Sequence, residues 1–207
     1  MKLTCLFACI LSVSTALGGE PGAAGSYREA SDAPFSGGRM ELQLVAGVIG
    51  SPIFFGPHQI SYTFVDSELR LGWMLNSPRG SGWLRGNFEV LGAFTGGMIA
   101  RGPGEKFGTT DVFIRYNFVQ PNARIVPYAQ FGAGVFISDI ADDPRQGTIG
   151  STYEADLRAA AGLHYFFSPR WSFDAEAFVQ HVSNAGTADR NVGINAIGGV
   201  VGIARMF

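Results

Sequence analysis

Three polar side chains near the C-terminal end of the chain are of types that together can activate a hydroxyl: His181, Ser183 and Asn195. A serine Oγ is a weak nucleophile until a base takes its proton, and a neutral imidazole can do that. In the stretch WSFDAEAFVQHVSNAG, residues 171–186, every second residue from Trp171 is Phe173, Ala175, Ala177 and Val179, then His181 and Ser183. Residues i and i+2 of a strand lie on one face, so the histidine and serine are neighbours at the end of an apolar face. The alternate set, Ser172, Asp174, Glu176, Phe178 and Gln180, is where polar groups belong. A following antiparallel strand would put Asn195 on the same face as Ile197, Val201, Ile203 and Phe207, beside His181. Its amide oxygen can accept from the imidazole Nδ1–H, leaving Nε2 free as the base. Asn184, or backbone N–H groups of the Ala185–Gly186 turn, are the candidate donors to a developing oxyanion.

The elements that must hold these groups are strands. From residue 39 onward the chain has eight stretches of period-2 alternation, near 39–49, 59–75, 83–94, 110–119, 124–138, 152–167, 171–184 and 193–207, and no convincing long amphipathic helix. In 152–167 one face reads Tyr153, Ala155, Leu157, Ala159, Ala161, Leu163, Tyr165 and Phe167, against Glu154, Asp156, Arg158 and His164 on the other. A soluble sandwich would turn the apolar faces inward, whereas a membrane barrel turns them to lipid and encloses a polar, salt-bridged interior. The links favour the barrel. Short ones near 76–82, 120–123 and 168–170 alternate with generally longer ones near 50–58, 95–109, 139–151 and 185–192, as periplasmic turns alternate with outer loops. Trp73, Trp83, Tyr116, Phe118, Tyr165, Phe167, Trp171 and Phe173 gather at the short-link end as an interfacial girdle, and the chain ends in Phe207. The expected fold is therefore all-β, an eight-stranded antiparallel transmembrane β-barrel of the bacterial outer membrane, filled by side chains. Strand seven then runs outward, which aims His181 and Ser183 at the outer leaflet.

Composition agrees. The 207 residues include 29 glycines, 13% aromatics and only 15% charged residues, and the net charge is −2. That balance gives no reason to expect nucleic acid as a partner. Residues 1–18 read as a signal peptide cut after Gly18, residues 19–38 as a flexible Gly/Ala/Ser/Pro lead, and 39–207 as the barrel. Both cysteines lie in the signal, which leaves the exported chain without thiols.

The other polar residues have plainer readings. Glu89, Glu154, Asp156, Asp174 and Glu176 are expected to be interior partners of Arg85, Arg115 and Arg158 rather than a glycosidase pair. His164 belongs to that interior and His58 to a loop. Three scattered histidines carry no metal-ligand spacing. The glycines of GVIGS, GAGV and IGGVVG are expected to relieve crowding at strand bends.

The segment His181-Val182-Ser183-Asn184-Ala185-Gly186, with Asn191-Val192-Gly193-Ile194-Asn195, resembles the active-site region of the outer-membrane lipid A 3-O-deacylase family, often labelled acyloxyacyl hydrolases. The likeness is sharp over 181–195 and loose over 39–207. It implies an ester hydrolase without metal or organic cofactor, acting on lipopolysaccharide from the outside of the barrel, with His181 and Ser183 catalytic. The best-known members carry a Glu where this chain has Asn195. A homodimer is compatible with the pattern. The competing reading is a non-catalytic barrel that binds lipopolysaccharide or a partner through its outer loops.

Overall fold

In the computed structural model, described over residues 32–52 and 60–207, eight antiparallel strands close into a barrel in sequence order. They are β1 (Met40–Ser51), β2 (Tyr62–Met74), β3 (Asn87–Arg101), β4 (Lys106–Asn117), β5 (Ile125–Ser138), β6 (Tyr153–Ser168), β7 (Trp171–Ser183) and β8 (Ile194–Met206). The ring closes between β8 and β1, where Leu44 stands opposite Ile203. The signal peptide and His58 lie outside the described residues.

Alternation in the strands becomes an inside and an outside. Leu42, Leu71, Phe94, Val112, Phe131 and Val201 are exposed on the outer wall, and with their neighbours they form the continuous apolar belt of a barrel that stands in a bilayer. The interior is filled and layered. Arg70, Arg115 and Arg158, all buried, occupy its middle. Arg70 bonds Glu68 and grips Glu176 with two nitrogens at 2.8 and 2.9 Å. Arg115 reaches Glu41 at 3.1 Å and Gln130 at 2.8 Å, and Arg158 reaches Glu68 at 2.5 Å. Beyond this layer, away from the chain termini, the interior turns apolar around Phe64, Phe107 and Phe136.

Three expectations change. Arg85 is not interior: β3 begins after it, and its guanidinium binds Asp32 at 2.6 Å and the Val119 carbonyl at 2.8 Å. Glu154 and Asp174 are buried as expected but pair with other groups. Glu154 accepts from the Gly150 and Ser151 N–H groups, whereas Asp174 takes His164 at 2.8 Å, Ser172 at 2.7 Å and Gln43 at 2.8 Å. The link lengths also depart from the pattern. β3 and β4 run on through their glycines to meet across residues 102–105, while the β2–β3 link, 75–86, is longer than read and holds a short 3-10 turn at Gly82–Leu84.

The last residues of the segment read as a lead pack into the barrel. Ala33–Phe35 make a 3-10 turn, and Phe35, fully buried, closes the end beside Met74, Val119, Val126 and Met206. This is the terminal end; the opposite one is the far end. Phe35 is apolar and flanked by small and polar residues, so composition hides what the open barrel mouth needs.

Candidate active site on the outer wall

His181 and Ser183 lie at the far end of β7, on the outer face, where both are half-buried. β8 returns antiparallel and brings Asn195 directly opposite His181. The three side chains form one line of contacts: the imidazole Nδ1 is 2.7 Å from Asn195 Oδ1, and Nε2 is 3.1 Å from Ser183 Oγ. An amide oxygen only accepts, so the ring proton on that side belongs to Nδ1, and Nε2 is left to accept from the serine hydroxyl. On the other flank β6 places Leu157 opposite His181 and Ala155 opposite Ser183. A shallow groove of about 330 Å³ runs along the wall from this point, lined by Phe131, Leu157, Ala159, Val179, His181 and Asn195. Its walls are mostly apolar.

The loop after Ser183 is built on two successive left-handed residues, Ala185 at φ 53° and Gly186 at φ 84°. Asn184 holds that turn together. Its Oδ1 accepts from the Gly186 N–H at 3.0 Å, its Nδ2 donates to the Arg190 carbonyl at 2.9 Å, and its carbonyl accepts from Thr187. The residues expected as oxyanion donors are thus adjacent to the serine, but their polar atoms are engaged with one another. An Asn side chain stabilises such a turn by bonding its own backbone two residues on.

Several further residues shape the site. Gly193, at φ 76°, donates its N–H to the Thr148 carbonyl at 3.0 Å; a Cβ there would meet the Val182 carbonyl at 2.9 Å and His181 Cε1 at 3.4 Å. Arg190 ties the β7–β8 loop to the β5–β6 loop through the carbonyls of Ala141 at 3.0 Å, Asp143 at 3.1 Å and Gln146 at 3.2 Å. Gln146, nearly fully buried, organises the second loop by accepting from Thr148 and Ile149 N–H. At its tip Asp143 is bonded by the Arg145 side chain and backbone, which hold its carboxyl down at about 2. The Arg190 contacts join residues 44 to 49 positions apart, and no local pattern announces them.

Among the described residues, Glu41, His164 and Asp174 are the group whose donor atoms come within 4.8 Å of one another in the manner of a metal site. They lie in the interior, far from Ser183. Their carboxylates already serve Arg115, Ser172, Gln43 and His164 itself, so the set reads as part of the interior network.

Comparison with known proteins gives the family. No match was found among curated proteins. Among solved structures, the outer membrane enzyme PagL shares 20% identity over 78% of this chain and 97% of its own, with a TM-score of 0.50. Neisserial surface protein A shares 13% identity over 83% of this chain and 98% of its own, with a TM-score of 0.55. At such identities these likenesses establish the outer-membrane barrel fold. A family description, Lipid A 3-O-deacylase (PagL), matches residues 62–204, which takes in β2 to β7, most of β8 and the whole His-Ser-Asn line. The chain belongs to the lipid A 3-O-deacylase (PagL) family.

Proposed function

We propose that this chain is a serine esterase that hydrolyses the ester-linked 3-O acyl chain of lipid A in the outer leaflet of the outer membrane. Ser183 is the nucleophile, His181 the base and then the acid, and Asn195 the group that orients the ring. The observation that carries the reading is the unbroken line Asn195 Oδ1, His181, Ser183 Oγ on the outer wall, at 2.7 and 3.1 Å. Polar side chains on a lipid-facing surface cost free energy unless they are satisfied, and here they satisfy one another in the order that acyl transfer needs.

In the reaction His181 Nε2 takes the Ser183 proton as Oγ attacks the ester carbonyl. The same proton passes to the sugar oxygen as it leaves, and an acyl-serine remains. Water, deprotonated by the same nitrogen, then releases the fatty acid and restores the serine. The groove lined by Phe131, Leu157 and Val179 offers the leaving acyl chain an apolar track beside the nucleophile. Substrate reaches it sideways, within the membrane. Asn184 and Gly186 are the proposed oxyanion donors, which requires the Gly186 N–H to exchange Asn184 Oδ1 for the substrate; such bonds often align only in the complex. The neutral Asn195 amide orients the imidazole through its contact to Nδ1 but does not balance the positive charge that the ring acquires.

The test is mass spectrometry of lipid A from cells carrying the wild-type chain or Ser183→Ala. Loss of one ester-linked acyl chain with the wild type alone supports the esterase. Identical lipid A from both, with both barrels folded, supports a binding barrel instead.

A further inference from the structure

Charge is distributed unevenly along the barrel axis. Among the described residues the terminal end carries Arg39, Arg79, Arg85, Arg124, Arg170 and Arg205 against one acid, Asp32, which is already bound to Arg85. The far end carries Arg101, Lys106, Arg145 and Arg190 against Glu105, Asp139, Asp142, Asp143 and Asp189. Every cation of the terminal rim is an arginine. A guanidinium presents a planar fork that matches a phosphate, is weakly hydrated, and keeps its charge near apolar surface.

Two of these arginines share one corner. Arg170 is the tip of the β6–β7 turn and its carbonyl accepts from Met206 N–H at 2.8 Å; Arg205 pairs with Trp171, the next residue. Arg205 projects from the outer wall, the face that otherwise meets lipid, with its guanidinium 5.4 Å from the Trp171 ring centre and 4.8 Å from that of Phe207. The two rings hold the cation at girdle height, where hydrocarbon gives way to headgroups. A soluble acidic partner would meet the rim from below, but it would not reach a side chain set between two girdle aromatics on the lateral wall. A lipid headgroup does.

We propose that this rim, centred on Arg170 and Arg205, binds the phosphodiester headgroups of anionic phospholipids in the leaflet at the terminal end, opposite the leaflet in which Ser183 acts. The proposal is independent of the esterase chemistry. It gives the barrel a fixed depth and tilt from below, while the far end is left to the site.

The chain contains its own reporter, because all three tryptophans, Trp73, Trp83 and Trp171, lie at the terminal end. The protein is refolded into phosphatidylcholine bilayers that contain a fixed fraction of brominated lipid, and quenching is compared for brominated phosphatidylglycerol and brominated phosphatidylcholine. The expected result is a relative association about fivefold in favour of phosphatidylglycerol at low salt, shrinking as salt rises. Arg170→Gln combined with Arg205→Gln brings the ratio close to one, whereas Arg101→Gln combined with Lys106→Gln leaves it unchanged. Equal quenching by the two lipids in the wild type overturns the proposal, as does selectivity that survives high salt or the double substitution. The wild-type salt series decides the matter even where the double variant folds poorly.

Discussion

Asn195 stands directly across the β7–β8 ladder from His181, and its amide oxygen lies 2.7 Å from the imidazole Nδ1. The contact sets the tautomer by geometry alone. A carboxylate at that position would do the same and would also stabilise the imidazolium that the proposed attack by Ser183 forms.

Two substitutions at 195 therefore diverge. Asn195→Ala frees the ring to turn and is expected to lower kcat by about 10² to 10⁴ with the barrel intact. Asn195→Glu should retain or raise kcat, since the family likeness itself places a Glu there. Fatty-acid release from purified lipopolysaccharide in detergent measures both. An inactive but folded Asn195→Glu would show that the amide has a role a carboxylate cannot fill.

Gly193 keeps a left-handed backbone at φ 76° beside His181 and Ser183. Gly193→Ala imposes strain of about 1–2 kcal/mol and brings a methyl group against the Val182 carbonyl. The strand ladders do not depend on it. Activity should fall about tenfold or more while the thermal unfolding of the barrel hardly moves, because small displacements of reacting groups are costly in rate. Heat-modifiable gel mobility, read alongside the assay, separates the two effects.

Arg190 is the clamp between the loop that follows Ser183 and the β5–β6 loop. Arg190→Gln removes its contacts to three carbonyls, so the second loop should open locally without global unfolding. Tryptic cleavage after Arg145, whose side chain is 87% exposed, should speed up several-fold, about what a loss of 1 kcal/mol in local opening gives. A drop in kcat/KM should accompany it. Unchanged cleavage at Arg145 would show that other contacts hold the loop.

Arg115 serves both Glu41 and Glu89 in a fully buried layer. Arg115→Met leaves those carboxylates without their cation and should destabilise the barrel by about 3–5 kcal/mol, read from urea unfolding in lipid vesicles. Adding Glu41→Gln should recover part of the loss, because the penalty lies in the stranded charge. A substitution without effect would mean that the interior is more hydrated than its packing indicates.

The eight strands, the face of each that meets lipid, and the placing of His181, Ser183 and Asn195 on one outer face were legible in the sequence. These follow from period-2 alternation and from residue spacing within β7 and β8, which are local properties. The lipid A deacylase likeness was legible in residues 181–195 for the same reason: His181, Ser183 and Asn195 are close in the chain. What closes and fills the barrel emerges from the folded ring. Phe35 sits in a stretch with no periodicity, yet it seals the terminal end, because the open mouth needs an apolar cover that only the assembled ring defines. Arg85 carried the right charge and alternation for the interior, but β3 starts two residues later and leaves it outside. Asn184 stands beside the serine as the segment implies, yet its amide is drawn into the turn by Gly186 and Arg190. Those outcomes depend on partners distant in the chain or on competition for a hydrogen bond. Alternation assigns a side chain to a face, and packing in three dimensions decides what it meets there.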